Sequence, residues 1–447
     1  MSQNNIHSNQ PSLGLWRATS LVVGNIVGAG VLMLPASLGV YGTLGLLGWM
    51  LTTVGSIALA LVFARLSRQY PIIGGPYAYS REAFGEFIGF QMAWSYWVGT
   101  WASNAAIATA FVSYLTSFWP ILAEDMFLAF VVSGGSVWLF TFVNTMGVRT
   151  AGILQVFAVV VKVVPLAAVG LFGVFYFNLE NFVPINPSGV PWITALGSAA
   201  ALTLFSFLGI ESATIPAEDV IEPEKNIPRA TVLGTLIAAV IYIWTMTVIL
   251  GLIPPAELSV SAAPFADASR VIFGNWSVPI IAASAAASAF VTLNGWILLQ
   301  GQIPLAAAQD KIFPACFRKV TKSGAPAVGL IISSLLMTGM LILNYQATLV
   351  DQFTAIVTFT TFAVLLPYLY SSAAELYFLC TGAAQLSGWR LARSILVALL
   401  AFLYTVVIVA GAGQQAVYYG MIFVFAGFPC YVWMKRTDLL QKGSPRQ

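Results

Sequence analysis

The chain has 447 residues, of which 59% are hydrophobic and 8% are charged, and its formal net charge at pH 7 is +3. Because soluble domains carry about 25% charged residues, this composition excludes an ordinary soluble protein and predicts an all-α polytopic membrane protein. The small net charge gives no indication of a nucleic-acid partner.

Apolar runs long enough to cross a bilayer, which takes about 20 residues, recur along the chain. They predict twelve transmembrane helices near residues 13–40, 42–65, 86–118, 126–145, 150–178, 191–216, 229–254, 277–308, 326–345, 352–379, 391–412 and 414–434. This divides the chain into a cytoplasmic tail (1–12), helices one to five (13–178), helices six to ten (191–379), helices eleven and twelve (391–434) and a second cytoplasmic tail (435–447).

The basic residues indicate the orientation of these helices. With twelve spans, nearly all of the 19 lysines and arginines fall on the side that carries both termini. The exceptions are Arg270, on the opposite side, and Lys162, inside the fifth helix. Under the positive-inside rule, both termini are therefore expected in the cytoplasm.

The first and sixth helices carry the signs of an interrupted helix. The run GNIVGAG at residues 24–30 has three glycines inside an apolar segment, and non-helical backbone at membrane depth is tolerated where it lines a cavity. Gly28 precedes Pro35-Ala36 by seven positions, and Gly209 precedes Pro216-Ala217 by the same interval. Paired interruptions are typical of transporters built from inverted repeats. The offset of five helices favours a 5+5 inverted repeat.

Four segments carry a resemblance to a known family. They are VVGNIVGAGVLMLPASL in the first helix, GGPYAYSREAFGEFIGFQ (Gly74–Gln91), SFLGIESATIPAEDVIEPEKNIPRA (Ser206–Ala230) and LLPYLYS (Leu365–Ser371). With them the chain resembles the amino acid–polyamine–organocation (APC) superfamily, and within it the basic amino acid/polyamine antiporters such as the arginine/agmatine exchangers. The resemblance implies a LeuT-type fold, alternating access without a cofactor, and a place in the cell membrane, the inner membrane of a bacterium; it allows a homodimer.

The resemblance also implies a site for the head group of an amino acid at the two breaks. The backbone amides of Ala29 and Gly30, where the half-helix after the first break begins, would bind the substrate carboxylate. The carbonyl groups of Asn25 and Ile26, and those from Phe205 to Leu208, would accept hydrogen bonds from the substrate ammonium group.

Further residues are implied for the substrate side chain. Trp296 would stack on it, since cation–π attraction stabilises an amine or guanidinium group over an indole ring. Asn104 would hydrogen-bond to the distal cationic group, and Thr360 would supply a hydroxyl group to the pocket. Tyr96 would line the same pocket.

A gate and a proton-responsive group are implied as well. Tyr96 and Tyr368 match gate tyrosines that act with Glu211, an acid in an apolar run where a carboxylate is costly and therefore a functional candidate. We expect protonation of Glu211 to alter the gate. Lys162 matches the lysine that proton-coupled relatives carry on the fifth helix, where it would contact carbonyl groups near Gly28.

The chain departs from the arginine exchangers at two positions. Phe205 stands where they carry tryptophan, and Ala29 stands where they carry serine. Phenylalanine is a weaker cation–π partner, and alanine removes a hydroxyl group from the carboxylate site. These differences leave both a cationic and a neutral amino acid open as the substrate.

We therefore expect a secondary active amino-acid transporter, an antiporter that exchanges a cationic amino acid for a related amino acid or its decarboxylated amine. The alternative is a proton-coupled symporter for neutral or cationic amino acids, with Lys162 in the coupling role. An enzyme is not expected, because the membrane segments contain no histidine and no clustered acids or cysteines. The expected partners are thus the small-molecule substrate and the lipid bilayer, without catalytic residues, metal or cofactor.

Overall fold

A computed structural model describes residues 14–28, 30–70, 75–146, 165–211, 220–383 and 386–443, apart from the side chains of Leu21, Asn25 and residues 437–443. The regular secondary structure of this part is helical. The helices are α1 (Leu15–Ile26), α2 (Gly30–Gly39), α3 (Thr43–Gln69), α4 (Pro76–Phe84), α5 (Glu86–Leu115), α6 (Met126–Met146), α7 (Pro165–Tyr176), α8 (Trp192–Leu204), α9 (Pro223–Leu252), α10 (Pro264–Phe273), α11 (Ser277–Gln309), α12 (Ala327–Asn344), α13 (Leu349–Cys380), α14 (Gly388–Gly411), α15 (Gln414–Phe425) and α16 (Gly427–Gly443). Shorter helical turns lie at Ile121–Glu124, Leu179–Phe182, Phe205–Phe207, Pro255–Leu258 and Ala315–Arg318.

Eight helices of the described part are long and apolar enough to cross a bilayer. They are α3, α6, α9, α11, α12, α13, α14 and the segment Gln414–Arg436, which joins α15 to the first part of α16. The expected class, an all-helical multi-pass membrane protein, is confirmed. Three shorter apolar helices, α2, α7 and the helix that α8 forms with the turn after it, lie within the predicted first, fifth and sixth spans.

The first predicted span is interrupted at its glycine-rich run. α1 ends at Ile26, and Val27 leaves the helical region with φ −74° and ψ 88°. α2 then begins at Gly30. The carbonyl groups at the end of α1 and the amide groups at the start of α2 therefore lack partners within their own helices.

The sixth predicted span is interrupted as well. α8 ends at Leu204, a 3₁₀ turn follows at Phe205–Phe207, and Leu208 is extended. Gly209 has φ +100°, a conformation that glycine adopts without a steric penalty. Residues 212–219, which continue this span, lie outside the described part.

The centre of the bundle is built from helices with polar and aromatic side chains. α5 packs against α11 and α13, and α3 packs against α8 and α9. α5 is buried along nearly its whole length, so its polar face points into the protein and not into lipid. By contrast, Leu396, Leu403 and Val407 on α14 are 65%, 51% and 52% exposed, which suits a surface in contact with lipid tails.

Candidate functional site

The two interrupted segments are in contact with each other. A Cβ atom built on Gly30 would lie 2.8 Å from Cε1 of Phe205 and 3.1 Å from Oγ of Ser206. The first distance is too short for any real Cβ contact, so a side chain at Gly30 would displace Phe205. At Gly28 there is more room, because the nearest atom to such a Cβ would be Cγ2 of Thr292, 3.7 Å away.

Tyr242 on α9 connects the two interruptions. Its hydroxyl group lies 2.7 Å from the carbonyl oxygen of Ile26 and 3.1 Å from that of Ser206. The buried ring packs against Trp49 and Phe207, with ring centroids 4.7 Å and 5.5 Å apart. Two carbonyl groups within the predicted ammonium site thus share one donor, and each oxygen keeps a second lone pair for another.

Glu211 lies at the end of the described part of the sixth span and is 1% exposed. The hydroxyl group of Tyr368 on α13 donates to Oε2 of Glu211 across 2.6 Å, and that of Tyr96 on α5 donates to Oε1. Such charge-assisted hydrogen bonds stabilise a buried carboxylate. We refer to these three residues as the Glu211 cluster; the structure brings together all three side chains that the sequence predicts at a gate.

α3 contacts Tyr368 of the Glu211 cluster and a second residue of α13, Glu375. The rings of Phe63 and Tyr368 meet edge to face at 5.1 Å. Nε of Arg65 lies 2.5 Å from Oε1 of Glu375 on α13, and the guanidinium group also donates to the carbonyl oxygen of Ser394 on α14. Tyr368 and Glu375 are two helical turns apart and so lie on one face of α13.

Asn104 on α5 belongs to a polar network that crosses three further helices. Its Nδ2 donates to Oε1 of Gln300 on α11 across 2.7 Å, and Nε2 of Gln300 donates to Oγ of Ser334 on α12 across 3.2 Å. The hydroxyl groups of Ser334 and Thr141 on α6 are 2.6 Å apart. We refer to these four buried residues as the Asn104 network. Within the described part of the chain, Oδ1 of Asn104 has no hydrogen-bond partner.

The remaining predicted side chains occupy the same bundle. Thr360 is fully buried on α13, and its hydroxyl group has no partner among the described residues. Phe205 and Leu208 are each 6% exposed, and the ring of Phe205 meets that of Phe353 edge to face at 6.0 Å. Trp296 is half-buried on α11.

The carbonyl group predicted to bind at Asn25 belongs to the last turn of α1. Ala29 and Lys162 lie outside the described residues. Their roles therefore stay predictions.

The second half of the first span, α2, is covered by other elements. Every residue of α2 is buried. The hydroxyl group of Tyr114 on α5 donates to the carbonyl oxygen of Leu32 across 2.7 Å and accepts from the amide of Phe265 on α10 at 3.4 Å. Ser37 on α2 and Thr354 on α13 are joined through hydroxyl groups 2.7 Å apart.

Sequence reasoning missed Tyr242, Gln300 and Glu375. Gln300 and Glu375 had a usable signal, because polar side chains inside apolar helices point into the bundle. Tyr242 had none, since tyrosine is common in membrane helices, especially at their interfacial ends.

Comparison with known proteins identifies the family of this chain. The profile of the family described as amino acid permease matches residues 13–434. The chain belongs to the amino acid permease family. This permease is a membrane transporter and not an enzyme.

Several relatives of the permease are named as transporters or antiporters. It is 33% identical over 431 residues to the putrescine transporter PotE of Haemophilus influenzae, covering 96% of this chain and 98% of the relative. It is 33% identical over 370 residues to a cadaverine/lysine antiporter of Escherichia coli, covering 81% and 83%. It is 35% identical over 467 aligned positions to a putative arginine/ornithine antiporter of Bacillus subtilis, covering 96% and 98%.

Proposed function

We propose that this permease is an antiporter that exchanges a cationic amino acid for a related amino acid or its decarboxylated amine. The names of the relatives support this choice, since lysine with cadaverine and arginine with ornithine are pairs of this kind. They also favour a cationic over a neutral substrate, in spite of Phe205 and Ala29. The membrane would be the inner membrane of a bacterium.

The contact between the interrupted segments carries the proposal. The break between Ile26 and Gly30 meets the turn at Phe205 and Ser206, and Tyr242 spans both. The start of α2 offers amide groups and the positive end of a helix dipole to a carboxylate. The carbonyl groups of Ile26 and Ser206 offer acceptors to an ammonium group. An amino acid head group fits this pair of features and needs no charged side chain.

The wider architecture is part of the proposal. Twelve spans in a 5+5 inverted repeat, with residues 13–178 and 191–379 as the two halves, are supported by the eight long apolar helices and by the paired breaks. Both termini would lie in the cytoplasm, as the positive-inside rule indicates. A homodimer is compatible with this arrangement.

The Glu211 cluster would act as the gate of an alternating-access cycle. It joins α5 and α13 to the segment after α8, so separation of these elements requires two hydrogen bonds to break. Trp296, Asn104 and Thr360 would then contact the substrate side chain. Opening one side while the other stays closed is the movement that exchange requires.

Proton-coupled symport is the alternative, and it rests on Lys162, whose surroundings lie outside the described residues.

Counterflow in proteoliposomes separates the two functions. For exchange, uptake of labelled lysine, arginine or ornithine depends on unlabelled amino acid or on cadaverine or putrescine inside the vesicle. Uptake into empty vesicles that follows an imposed proton gradient would instead establish symport. Lys162→Ala tests the coupling role that symport assigns to this residue, and the variant should leave exchange intact if antiport is correct.

A further inference from the structure

The Asn104 network extends well beyond the residue predicted to contact substrate. Gln300, Ser334 and Thr141 lie on three different helices and are at most 2% exposed. None of the three has a part in the proposed exchange. A buried polar network rigidifies its surroundings only when its members are satisfied in a consistent order, so the order of donors and acceptors matters here.

Thr141, the member of the network most distant from Asn104, determines which group donates and which accepts in each hydrogen bond. The hydroxyl group of Thr141 lies 2.8 Å from the carbonyl oxygen of Val137, which can only accept, so Thr141 donates to it. Thr141 then accepts from Ser334 at 2.6 Å, and Ser334, with its proton used, accepts from Nε2 of Gln300 at 3.2 Å. Oε1 of Gln300 is left to accept from Nδ2 of Asn104 at 2.7 Å.

The amide of Asn104 is thereby fixed with its carbonyl oxygen unpaired. Oδ1 is buried and has no hydrogen-bond partner in the described part of the chain, and an unpaired buried acceptor is unfavourable until a donor reaches it. Trp296 precedes Gln300 by four residues on α11, so the two side chains share one face of that helix. Through its bond to Gln300, Asn104 therefore lies beside the face of α11 on which Trp296 is proposed to contact the distal end of the substrate.

We infer that Gln300, Ser334 and Thr141 are positioning residues that set substrate selectivity through Asn104. They hold its amide so that only the carbonyl oxygen is offered, which favours a distal ammonium or guanidinium group over a distal acceptor or an apolar end. An asparagine without this support can turn either end of its amide toward the substrate. The inference rests on the proposed function, because it assigns the substrate class of that same site.

Three amino acids of similar length and shape test the inference. Lysine ends in a donor, methionine sulfoxide in an acceptor and norleucine in a methyl group. Their Kd values are measured by displacement of labelled lysine from the purified full-length permease. We expect the wild type to prefer lysine, and Gln300→Leu and Thr141→Val to lower the ratio of the methionine sulfoxide Kd to the lysine Kd about tenfold. Thr141 is two side chains away from Asn104, so loss of packing alone would not change this ratio.

Two variants serve as controls. Gln300→Glu keeps an oxygen that accepts from Asn104 and should keep the lysine preference. Asn294→Leu removes a comparable buried amide contact on the same helix, because Oδ1 of Asn294 accepts from Nδ2 of Asn144 at 2.9 Å, yet it leaves the Asn104 network intact. The ratio should stay at the wild-type value in this variant, whatever happens to thermal stability.

The outcomes are distinct for the two proposals. The positioning role is overturned if Thr141→Val and Gln300→Leu keep the wild-type ratio of the methionine sulfoxide Kd to the lysine Kd. It is also overturned if Asn294→Leu lowers this ratio as much as they do. Neither result would affect exchange in proteoliposomes. If Gln300→Leu does not fold, Thr141→Val and Ser334→Ala decide the same question. A wild type that prefers methionine sulfoxide to lysine also overturns the inference. Absence of any exchange by the wild type overturns the proposed function itself.

Discussion

The hydroxyl group of Tyr242 lies 2.7 Å from the carbonyl oxygen of Ile26, the last residue of α1. The same hydroxyl group is 3.1 Å from the carbonyl oxygen of Ser206, in the turn after α8. One side chain on α9 therefore satisfies backbone groups that two broken helices leave unpaired, and it does so at the position proposed for the substrate ammonium group. A bound substrate would add a second donor to the same pair of carbonyl groups.

We predict that Tyr242→Phe lowers the free energy of unfolding of the substrate-free protein by about 1–3 kcal/mol, because a buried carbonyl group loses its donor. Since the substrate ammonium group can replace that donor, lysine should raise the Tm of this variant more than it raises the Tm of the wild type. Thermal unfolding in detergent with and without lysine measures both effects. Tyr370→Phe, which leaves the contacts of Tyr242 unchanged, is the control. Equal increases in Tm on addition of lysine in all three proteins would contradict the prediction.

Gly30 and Gly28 provide a matched pair for the packing of the two breaks. We predict that Gly30→Ala weakens substrate binding at least about tenfold, because its Cβ would displace Phe205. Gly28→Ala should stay within about threefold of the wild type, since its Cβ would meet ordinary contacts at 3.7 Å or more. Binding of labelled lysine measures both variants. Phe205→Leu in the Gly30→Ala background should restore part of the affinity, and similar losses in both single variants would contradict this account.

Glu211 gives the expected direction of the pH dependence. Ionised, its carboxylate accepts from both Tyr96 and Tyr368. When it takes up a proton, one oxygen becomes a hydroxyl group that accepts more weakly, and both hydrogen bonds lose the negative charge that strengthens them. A fall in pH through the titration of Glu211 therefore favours separation of the cluster, and exchange should accelerate.

We predict that Glu211→Gln abolishes this acceleration, because the amide group carries no titratable proton and its nitrogen cannot accept from tyrosine. Exchange rates measured in proteoliposomes across a pH series compare the variant with the wild type. Tyr96→Phe and Tyr368→Phe should each weaken the closed state while a pH response remains. A wild-type pH profile in Glu211→Gln would contradict a role for this carboxylate in proton response.

The ion pair between Arg65 and Glu375 supplies a prediction on stability. Glu375 is 2% exposed and the Arg65 side chain 27% exposed, so the pair is only partly screened by solvent. We predict that Glu375→Gln lowers the free energy of unfolding by about 1–3 kcal/mol, less than for a fully buried pair. Arg65→Met combined with Glu375→Leu should recover most of this loss, which thermal unfolding measures. An equal loss in the double variant would show that packing and not the charge pair supports α13.

The sequence predicted the breaks because glycine and proline report directly on local backbone conformation. The run around Gly28 and the repeated interval before Pro35 located the first interruption without knowledge of any neighbour. The meeting of Tyr96, Tyr368 and Glu211 came from resemblance, since no pattern within one helix shows which face of another helix it will meet.

The partners that sequence reasoning missed are separated widely along the chain. Tyr242 and Ile26 are 216 residues apart, and the Asn104 network draws on four helices. Such contacts depend on how helices rotate and shift against one another, which hydrophobic periodicity constrains only to a broad face. A buried glutamine such as Gln300 can be noticed in the sequence, but its hydrogen-bond direction depends on Thr141 and Ser334, which no local pattern connects to it.

A cryo-EM structure of the permease with bound lysine tests the central claim most directly. The account predicts the lysine carboxylate at the amide group of Gly30 and its ammonium group within hydrogen-bonding distance of the carbonyl oxygens of Ile26 and Ser206. The side chain should extend toward Asn104. Density for lysine elsewhere in the bundle, with the Ile26–Gly30 break and the turn at Phe205 unoccupied, would contradict it.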